Sequence, residues 1–147
     1  QNRILTTYYS EQPTPKRVIE DSMAIEVLLV EDSKTQAAQI KETLESVGLV
    51  VRLAYDGPEG LRDAIENPPA LVILDVKLPT MDGFQVCRRL KRAPETKDVP
   101  VIMLTEKAGP KATMSGLRAG ADDYIPKDIF ASEHLVDTLR ELGILEE

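Results

Sequence analysis

Short aliphatic runs alternate with longer amphipathic stretches from about residue 25 onward, and this alternation limits the possible folds more than any other feature. The runs are rich in β-branched residues and too short for helices, which favours buried strands. They are IEVLLV (25–30), LVVRLA (49–54), ALVILD (70–75), VPVIML (99–104) and DYIP (123–126). Five strand–helix pairs in succession predict a parallel sheet with helices on both faces and right-handed crossovers. The spacing alone leaves the strand order open.

The stretches between and after the runs carry helical signals. Their apolar residues recur at helical spacing, which predicts helices over residues 33–47, 57–66, 82–92, 110–120 and 130–142. Gly48 suits the position just past a helix, and Pro58 suits a first turn. The stretch 110–120 is the least apolar of the five, so its helix has the weakest support.

The beginning of the chain differs from the rest. We expect residues 1–24 to form an N-terminal extension or linker and residues 25–147 to form the domain. Prolines 13 and 15 lie in the extension, and Met23 would be a natural start for the domain. The alternative is a short helix that docks on the domain or on a second copy and uses Ile4, Leu5, Tyr8 and Tyr9.

Charge and cysteine content exclude several classes of protein. The formal net charge of −7 argues against a direct nucleic-acid surface, which needs a basic patch. No apolar run approaches the roughly 20 residues of a membrane span. A single cysteine, Cys87, rules out an internal disulfide and fits a reducing compartment. We therefore expect a cytoplasmic domain without a membrane segment.

Polar residues stand where the predicted strands end. The carboxyl ends of parallel strands share one edge of a sheet, and ligands gather there. The residues at these ends are Glu31, Asp32, Asp75, Thr105 and Lys127. Three carboxylates a few ångströms apart repel one another, and a hard divalent cation such as Mg²⁺ removes that cost. The sequence therefore predicts a Mg²⁺ site at this edge.

Within this cluster Asp75 is the natural nucleophile. It would bind the metal and accept a phosphoryl group, while Lys127 neutralises the transferring oxygens and Thr105 donates a hydrogen bond to the product. Each of the other residues also has a simpler explanation: Glu31 and Asp32 could serve the following helix N-terminus, Thr105 could merely end a strand, and Lys127 could be solvated. The turn after Asp75 does not explain an acid at the end of ALVIL. Tyr55 and Asp56 follow the second strand and are weaker candidates.

Four motifs give the chain from about residue 25 to 143 its resemblance to the receiver domain of two-component response regulators. These motifs are LLVEDS, LVILDVKLPTMDGF, VIMLTE and GADDYIPKDIF. The resemblance implies a flavodoxin-like fold with strand order 2-1-3-4-5. It also implies that a phosphohistidine on a histidine kinase or histidine phosphotransfer domain gives its phosphoryl group to Asp75.

The resemblance further assigns roles to individual residues. Glu31, Asp32 and Asp75 would bind Mg²⁺ together with the backbone carbonyl of Lys77. On phosphorylation Thr105 would move inward and Tyr124 would follow, which changes the face formed by the fourth helix, the last strand and the last helix. A homodimer and an unidentified output protein or domain are the partners left open. The domain would be a signalling phosphoacceptor that catalyses only its own phosphorylation and dephosphorylation.

The chain departs from the family pattern at two positions. The family usually has Lys-Pro with a cis bond after the last strand, whereas Asp128 follows Lys127 here. A non-proline cis bond is costly, so we expect a trans bond and a loop that still keeps Lys127 near Asp75. Glu106 replaces the usual small residue after the switch threonine.

Two rival functions remain at the sequence level. A phosphohydrolase of the haloacid dehalogenase type also uses an aspartyl nucleophile, but it needs a second aspartate where this chain has Lys77. A receiver-like interaction module that works without phosphorylation is the other rival, and the complete set of acids, threonine and lysine argues against it. His134 is expected to be a surface residue of the last helix, and Cys87 a packing residue.

Overall fold

The computed structural model describes residues 24–146. In this part of the chain the strands are β1 (Glu26–Val30), β2 (Val50–Ala54), β3 (Leu71–Leu74), β4 (Val101–Thr105) and β5 (Asp123–Pro126). The helices are α1 (Lys34–Ser46), α2 (Gly57–Glu66), α3 (Gly83–Arg92), α4 (Pro110–Arg118) and α5 (Ala131–Glu141). Every predicted element is present, with ends that shift by at most two residues. The predictions for residues 1–23 lie outside the described residues.

The strands form one parallel sheet in the order β2-β1-β3-β4-β5. This order confirms the flavodoxin-like fold that the family resemblance implies. Val30 pairs with Leu74 in the register of β1 and β3, so the residues that follow, Glu31 and Asp75, leave the sheet side by side. The Asp75 amide donates a hydrogen bond of 3.1 Å to the Val30 carbonyl, which fixes that alignment.

Helices cover both faces of the sheet because its side chains alternate between two apolar clusters. The first cluster joins the sheet to α2, α3 and α4, and the second joins the other face to α1 and α5. Leu28 and Val30 belong to the first, whereas Val27 and Leu29 belong to the second. Burial of both faces explains why β1 and β3 read as continuous aliphatic runs.

Two features of single residues agree with their sequence interpretation. Gly48 follows α1 with φ +93°, a left-handed conformation that favours glycine. Cys87 is fully buried in the first apolar cluster, as expected for a packing residue. Among the described residues, none of the helices combines the length and apolar character needed to span a bilayer.

Candidate functional site

Asp75 lies directly after β3 and is only 8% exposed. A buried carboxylate needs hydrogen-bond donors to offset the loss of hydration. One oxygen, Oδ1, accepts from the Val76 amide at 2.7 Å, and the other, Oδ2, accepts from Lys127 Nζ at 3.0 Å. The acid that ends the apolar run ALVIL is therefore paired, and Lys127 is its charged partner.

The turn after Asp75 brings the start of α3 against the end of β3. A Cβ on Gly83 would lie 2.1 Å from the Asp75 carbonyl oxygen, so a larger residue cannot occupy this position without moving the backbone. The Gly83 amide donates to the Val76 carbonyl at 2.8 Å. Asp82 then caps α3 in a reciprocal capping box with Gln85. Asp82 and Gly83 thus hold the loop after Asp75 in place.

Glu31 and Asp32 follow β1 and meet Asp75 at the same edge. Carboxylate oxygens of the three residues lie within 4.8 Å of one another. Burial raises the pKa of Glu31, whose side chain is 2% exposed, although hydrogen bonds from Lys127 and the Ser33 amide oppose that shift. Asp32 is exposed. Several oxygen ligands beside an open approach suit a hard divalent cation, which supports the predicted metal site.

Lys127 lies in the loop after β5 and reaches into the acidic cluster. Its amide donates to the Thr105 carbonyl at 2.8 Å, and its ammonium contacts Glu31 Oε1 at 2.5 Å as well as Asp75. Burial lowers the pKa of the ammonium, but the hydrogen bonds to Glu31 and Asp75 outweigh this effect and raise the pKa above its ordinary value. The Lys127 ammonium therefore holds its proton more tightly than a free lysine does.

The Lys127–Asp128 peptide bond is trans, as we expect from the absence of proline at residue 128. Asp128 Oδ1 accepts from the Phe130 amide at 2.8 Å, and the Asp128 carbonyl accepts from the Ala131 amide at 3.0 Å. The loop that leads into α5 is thus ordered by the side chain and backbone of Asp128. With this trans bond, the Lys127 ammonium still lies 3.0 Å from Asp75 Oδ2.

Thr105 at the end of β4 and Tyr124 of β5 both bind Lys107, in the loop between β4 and α4. Thr105 is fully buried, and its hydroxyl oxygen accepts from the Lys107 amide at 3.1 Å. The Tyr124 hydroxyl donates to the Lys107 carbonyl at 2.6 Å, while its ring packs against Gly116 of α4. Burial, aided by the negative charge of Asp75, raises the pKa of Tyr124. Both residues therefore hold the loop between β4 and α4.

The remaining candidates lie apart from the acidic cluster or at its margin. Asp56 caps α2 by accepting from the Glu59 amide at 2.7 Å, and Tyr55 lies beneath the ammonium of Lys34. Glu106 is exposed and lines, with Lys127 and residues of α1 and α5, a groove of about 480 Å³. His134 is exposed on α5.

Sequence reasoning does not identify Gln36 as a site residue. Its side-chain oxygen accepts from Lys127 Nζ at 2.5 Å. The available signal is its place three residues after the helix cap Ser33, which sets it in the first turn of α1 beside Glu31. That position alone does not reveal a contact with a residue 91 positions away.

The sequence matches the family described as response regulator receiver domain over residues 27–140. A response regulator of Mycobacterium ulcerans, MprA, is 37% identical over 120 residues, which are 82% of this chain and 50% of that protein. The chain thus aligns with about half the length of this relative. Because both its sequence and its strand order match this family, the chain belongs to the response regulator receiver domain family.

Solved structures agree with this assignment. The receiver domain of a signal transduction histidine kinase from Syntrophus aciditrophicus has a TM-score of 0.75 and 37% identity, covering 84% of this chain and 95% of that one. A second solved structure is the receiver domain of the Pseudomonas aeruginosa sensor histidine kinase PA1611, which has a magnesium ion coordinated in its active site cleft. It has a TM-score of 0.74 and 31% identity, and the match covers 80% of this chain and 96% of that one. This family acts as the phosphoacceptor in two-component signalling.

Proposed function

We propose that Asp75 is the phosphoacceptor of this receiver domain and takes its phosphoryl group from a phosphohistidine on a partner protein. The observation that carries the proposal is the setting of the Asp75 carboxylate, which lies within 4.8 Å of carboxylate oxygens of Glu31 and Asp32 and 3.0 Å from the Lys127 ammonium. A carboxylate that is almost fully buried, paired and next to a cation site is suited to nucleophilic attack on phosphorus.

The proposed reaction is an in-line displacement. An oxygen of Asp75 forms a bond to phosphorus while the bond between phosphorus and the donor imidazole nitrogen breaks, and the bonding electron pair leaves with that nitrogen. Lys127 donates hydrogen bonds to the transferring oxygens. Thr105 would donate its hydroxyl proton to the new phosphoryl group; in the unmodified site its oxygen accepts from the Lys107 amide, which leaves that proton available.

Magnesium is the proposed cofactor, held by Glu31, Asp32, Asp75 and the backbone carbonyl of Lys77. One ammonium against three carboxylates leaves the cluster net negative, which favours a divalent cation there. The relative from Pseudomonas aeruginosa, whose structure holds magnesium in its cleft, supports this choice. When bound, Mg²⁺ would neutralise charge on the transferring phosphoryl oxygens.

The proposed output is a change of the loop between β4 and α4. Movement of Thr105 toward a phosphoryl group would release the Lys107 amide, and Tyr124, which binds the Lys107 carbonyl, would respond. The face formed by α4, β5 and α5 would then change its affinity for a partner. An output protein, an output domain or a second copy of the chain are the candidate partners for this face.

The proposed phosphodonor is a histidine kinase or a histidine phosphotransfer domain. The chain's one histidine, His134, is on the surface of α5, so the donor histidine belongs to another protein or domain. The proposed unit for this function is residues 25–147, preceded by an extension over residues 1–24. The family match over residues 27–140 supports that division.

Labelling with a small phosphoramidate donor tests the proposal. The full chain should incorporate one phosphoryl group in the presence of Mg²⁺, and a chelator should suppress the incorporation. Labelling that is equally fast with and without the chelator would contradict the metal-dependent mechanism.

The proposed metal ligands have a matched test. Asp32→Ala should weaken Mg²⁺ binding by about tenfold or more, since it removes one charged ligand. Asp56→Ala, which removes an acid outside the cluster, should leave Mg²⁺ affinity nearly unchanged. A Mg²⁺ titration in which the two variants rank in the opposite order would refute the ligand assignment.

A further inference from the structure

Two glutamines occupy the same position of two helices but use their side chains differently. Gln85 of α3 and Gln36 of α1 both lie three residues after a helix cap, and the amide of each binds the side chain of its cap residue. Gln85 reaches back to the cap amide of Asp82 at 3.1 Å and completes a capping box. Gln36 instead accepts from Lys127 at 2.5 Å.

The reason for this difference lies in Glu31. The amide of Ser33, which is the cap of α1, donates to Glu31 Oε2 at 3.1 Å. A glutamine at this place would ordinarily accept from the amide of the cap residue, but the Ser33 amide is already bound to Glu31. The side chain of Gln36 is left to extend toward the loop after β5, and its backbone stays fixed by the Ser33 hydroxyl at 3.2 Å.

The contact completes the coordination of the Lys127 ammonium. A lysine ammonium has three N–H donors. Here the three acceptors are Glu31 Oε1 at 2.5 Å, Gln36 Oε1 at 2.5 Å and Asp75 Oδ2 at 3.0 Å. Of these, Gln36 alone is uncharged and lies outside the acidic cluster that would bind a cation.

We propose that Gln36 is a positioning residue that holds the Lys127 ammonium over Asp75 during phosphoryl transfer. The role rests on the proposed phosphoacceptor function. When Glu31 and Asp75 give oxygens to a cation or to phosphorus, Lys127 loses charged acceptors, and Gln36 keeps one N–H fixed. The other N–H groups then remain directed at the transferring oxygens. A neutral amide does this without adding a fourth negative charge or a fourth competing metal ligand.

The experiment compares Gln36→Met with Gln39→Met in the full chain. Methionine keeps the length of glutamine and removes the acceptor oxygen, and Gln39 is an exposed residue of the same helix. In protein labelled with ¹⁵N-lysine, the Lys127 ammonium resonance of the unphosphorylated, metal-free chain should exchange with water at least about fivefold faster in Gln36→Met. Gln39→Met should match the parent, and Gln36→Glu, which restores an oxygen, should slow the exchange again.

Phosphorylation kinetics provide the second readout. The rate constant at saturating small donor and saturating Mg²⁺ should fall about tenfold in Gln36→Met, as expected for losing one charge-assisted hydrogen bond. The donor concentration at half-saturation should stay unchanged, because Gln36 does not contact the donor directly in this account.

Each outcome decides one part of the account. Equal ammonium exchange in Gln36→Met and Gln39→Met would overturn the contact. If the parent is phosphorylated and Gln36→Met has the same rate constant, the positioning role is overturned. If the parent itself incorporates no phosphoryl group, the proposed function fails and the catalytic role of Gln36 fails with it. The ammonium measurement still judges the contact by itself in that case.

Discussion

Thr80 has φ 72° in the turn between β3 and α3, a left-handed conformation that is rare for a β-branched residue. This conformation costs a non-glycine residue roughly 1–2 kcal/mol. Glycine would remove that cost and lose about 0.5–1 kcal/mol through its greater freedom in the unfolded chain. The strain lies within the loop that carries the Lys77 carbonyl, which is the proposed metal ligand.

We therefore predict that Thr80→Gly stabilises the domain by about 0.5–1 kcal/mol. Urea denaturation should show a higher midpoint with an unchanged slope. Thr43→Gly in the last turn of α1 is the control, and it should destabilise the domain by about 0.5 kcal/mol. A loss of stability in Thr80→Gly would mean that the threonine makes a contact that outweighs its backbone strain.

Cys87 should be unreactive in the folded domain. It is fully buried, and burial raises the pKa of its thiol from 9.0 to about 11. Near pH 8 the folded protein should therefore hold about 100-fold less thiolate than the unfolded chain and react correspondingly more slowly with an alkylating reagent. Equal rates of alkylation in buffer and in denaturant would contradict the burial of this side chain.

The raised pKa of the Cys87 thiol also makes the free energy of unfolding depend on pH. The folded thiol keeps its proton between pH 9.0 and about 11, whereas the unfolded thiol loses it. Stability from this group is therefore fully present below pH 9.0 and declines as the pH rises toward about 11. Cys87→Ala should lessen this decline in denaturation curves recorded across that range.

At the level of elements, the sequence predicts the strands and helices well, because the buried strands read as short aliphatic runs and the helices repeat apolar residues at helical spacing. The strand ends are also predictable, so Glu31, Asp75 and Thr105 are found at one edge of the sheet. The strand order follows only from the family resemblance. Side-chain contacts between distant elements, such as that of Gln36 with Lys127, depend on which hydrogen-bond partners are already occupied, and local sequence does not contain that information.

Packing between elements predicts unequal effects at two glycines. Gly83 of α3 has the Asp75 carbonyl 2.1 Å from the place of a Cβ, whereas Gly48 after α1 has no atom within 4 Å of that place. Gly83→Ala should cost about 3 kcal/mol or more, because backbone must move. Gly48→Ala should cost only about 1–2 kcal/mol, from its φ of +93°.

Thermal or urea denaturation of the two variants checks this ranking. Gly83→Ala should also slow phosphorylation, since the displaced backbone includes the Asp75 carbonyl. If Gly48→Ala were the more harmful substitution, the close approach of α3 to β3 would not be a determinant of stability.

At the scale of the whole molecule, charge affects how a donor approaches. The chain carries a formal net charge of −7, and Glu106 adds an exposed carboxylate to the groove beside Lys127. A small anionic phosphodonor should therefore react faster with Glu106→Ala, by about two- to threefold at low salt, which is within the range of exposed charge interactions. The difference should shrink as ionic strength rises.

Glu95→Ala is the matched control because it removes the same charge from an exposed residue before β4, at the opposite edge of the sheet. If Glu106→Ala and Glu95→Ala have equal rates at every salt concentration, Glu106 does not limit access to the site.

The central claim is that Asp75, among the acids of this chain, is the residue that receives the phosphoryl group. Mass spectrometry of the intact chain after incubation with a small phosphodonor and Mg²⁺ tests it most directly. The parent and Asp56→Asn, which keeps a good helix cap outside the acidic cluster, should each gain one phosphoryl group. Asp75→Asn should gain none, because an amide oxygen is too weak a nucleophile for this step. Equal incorporation by Asp75→Asn and the parent would contradict the account.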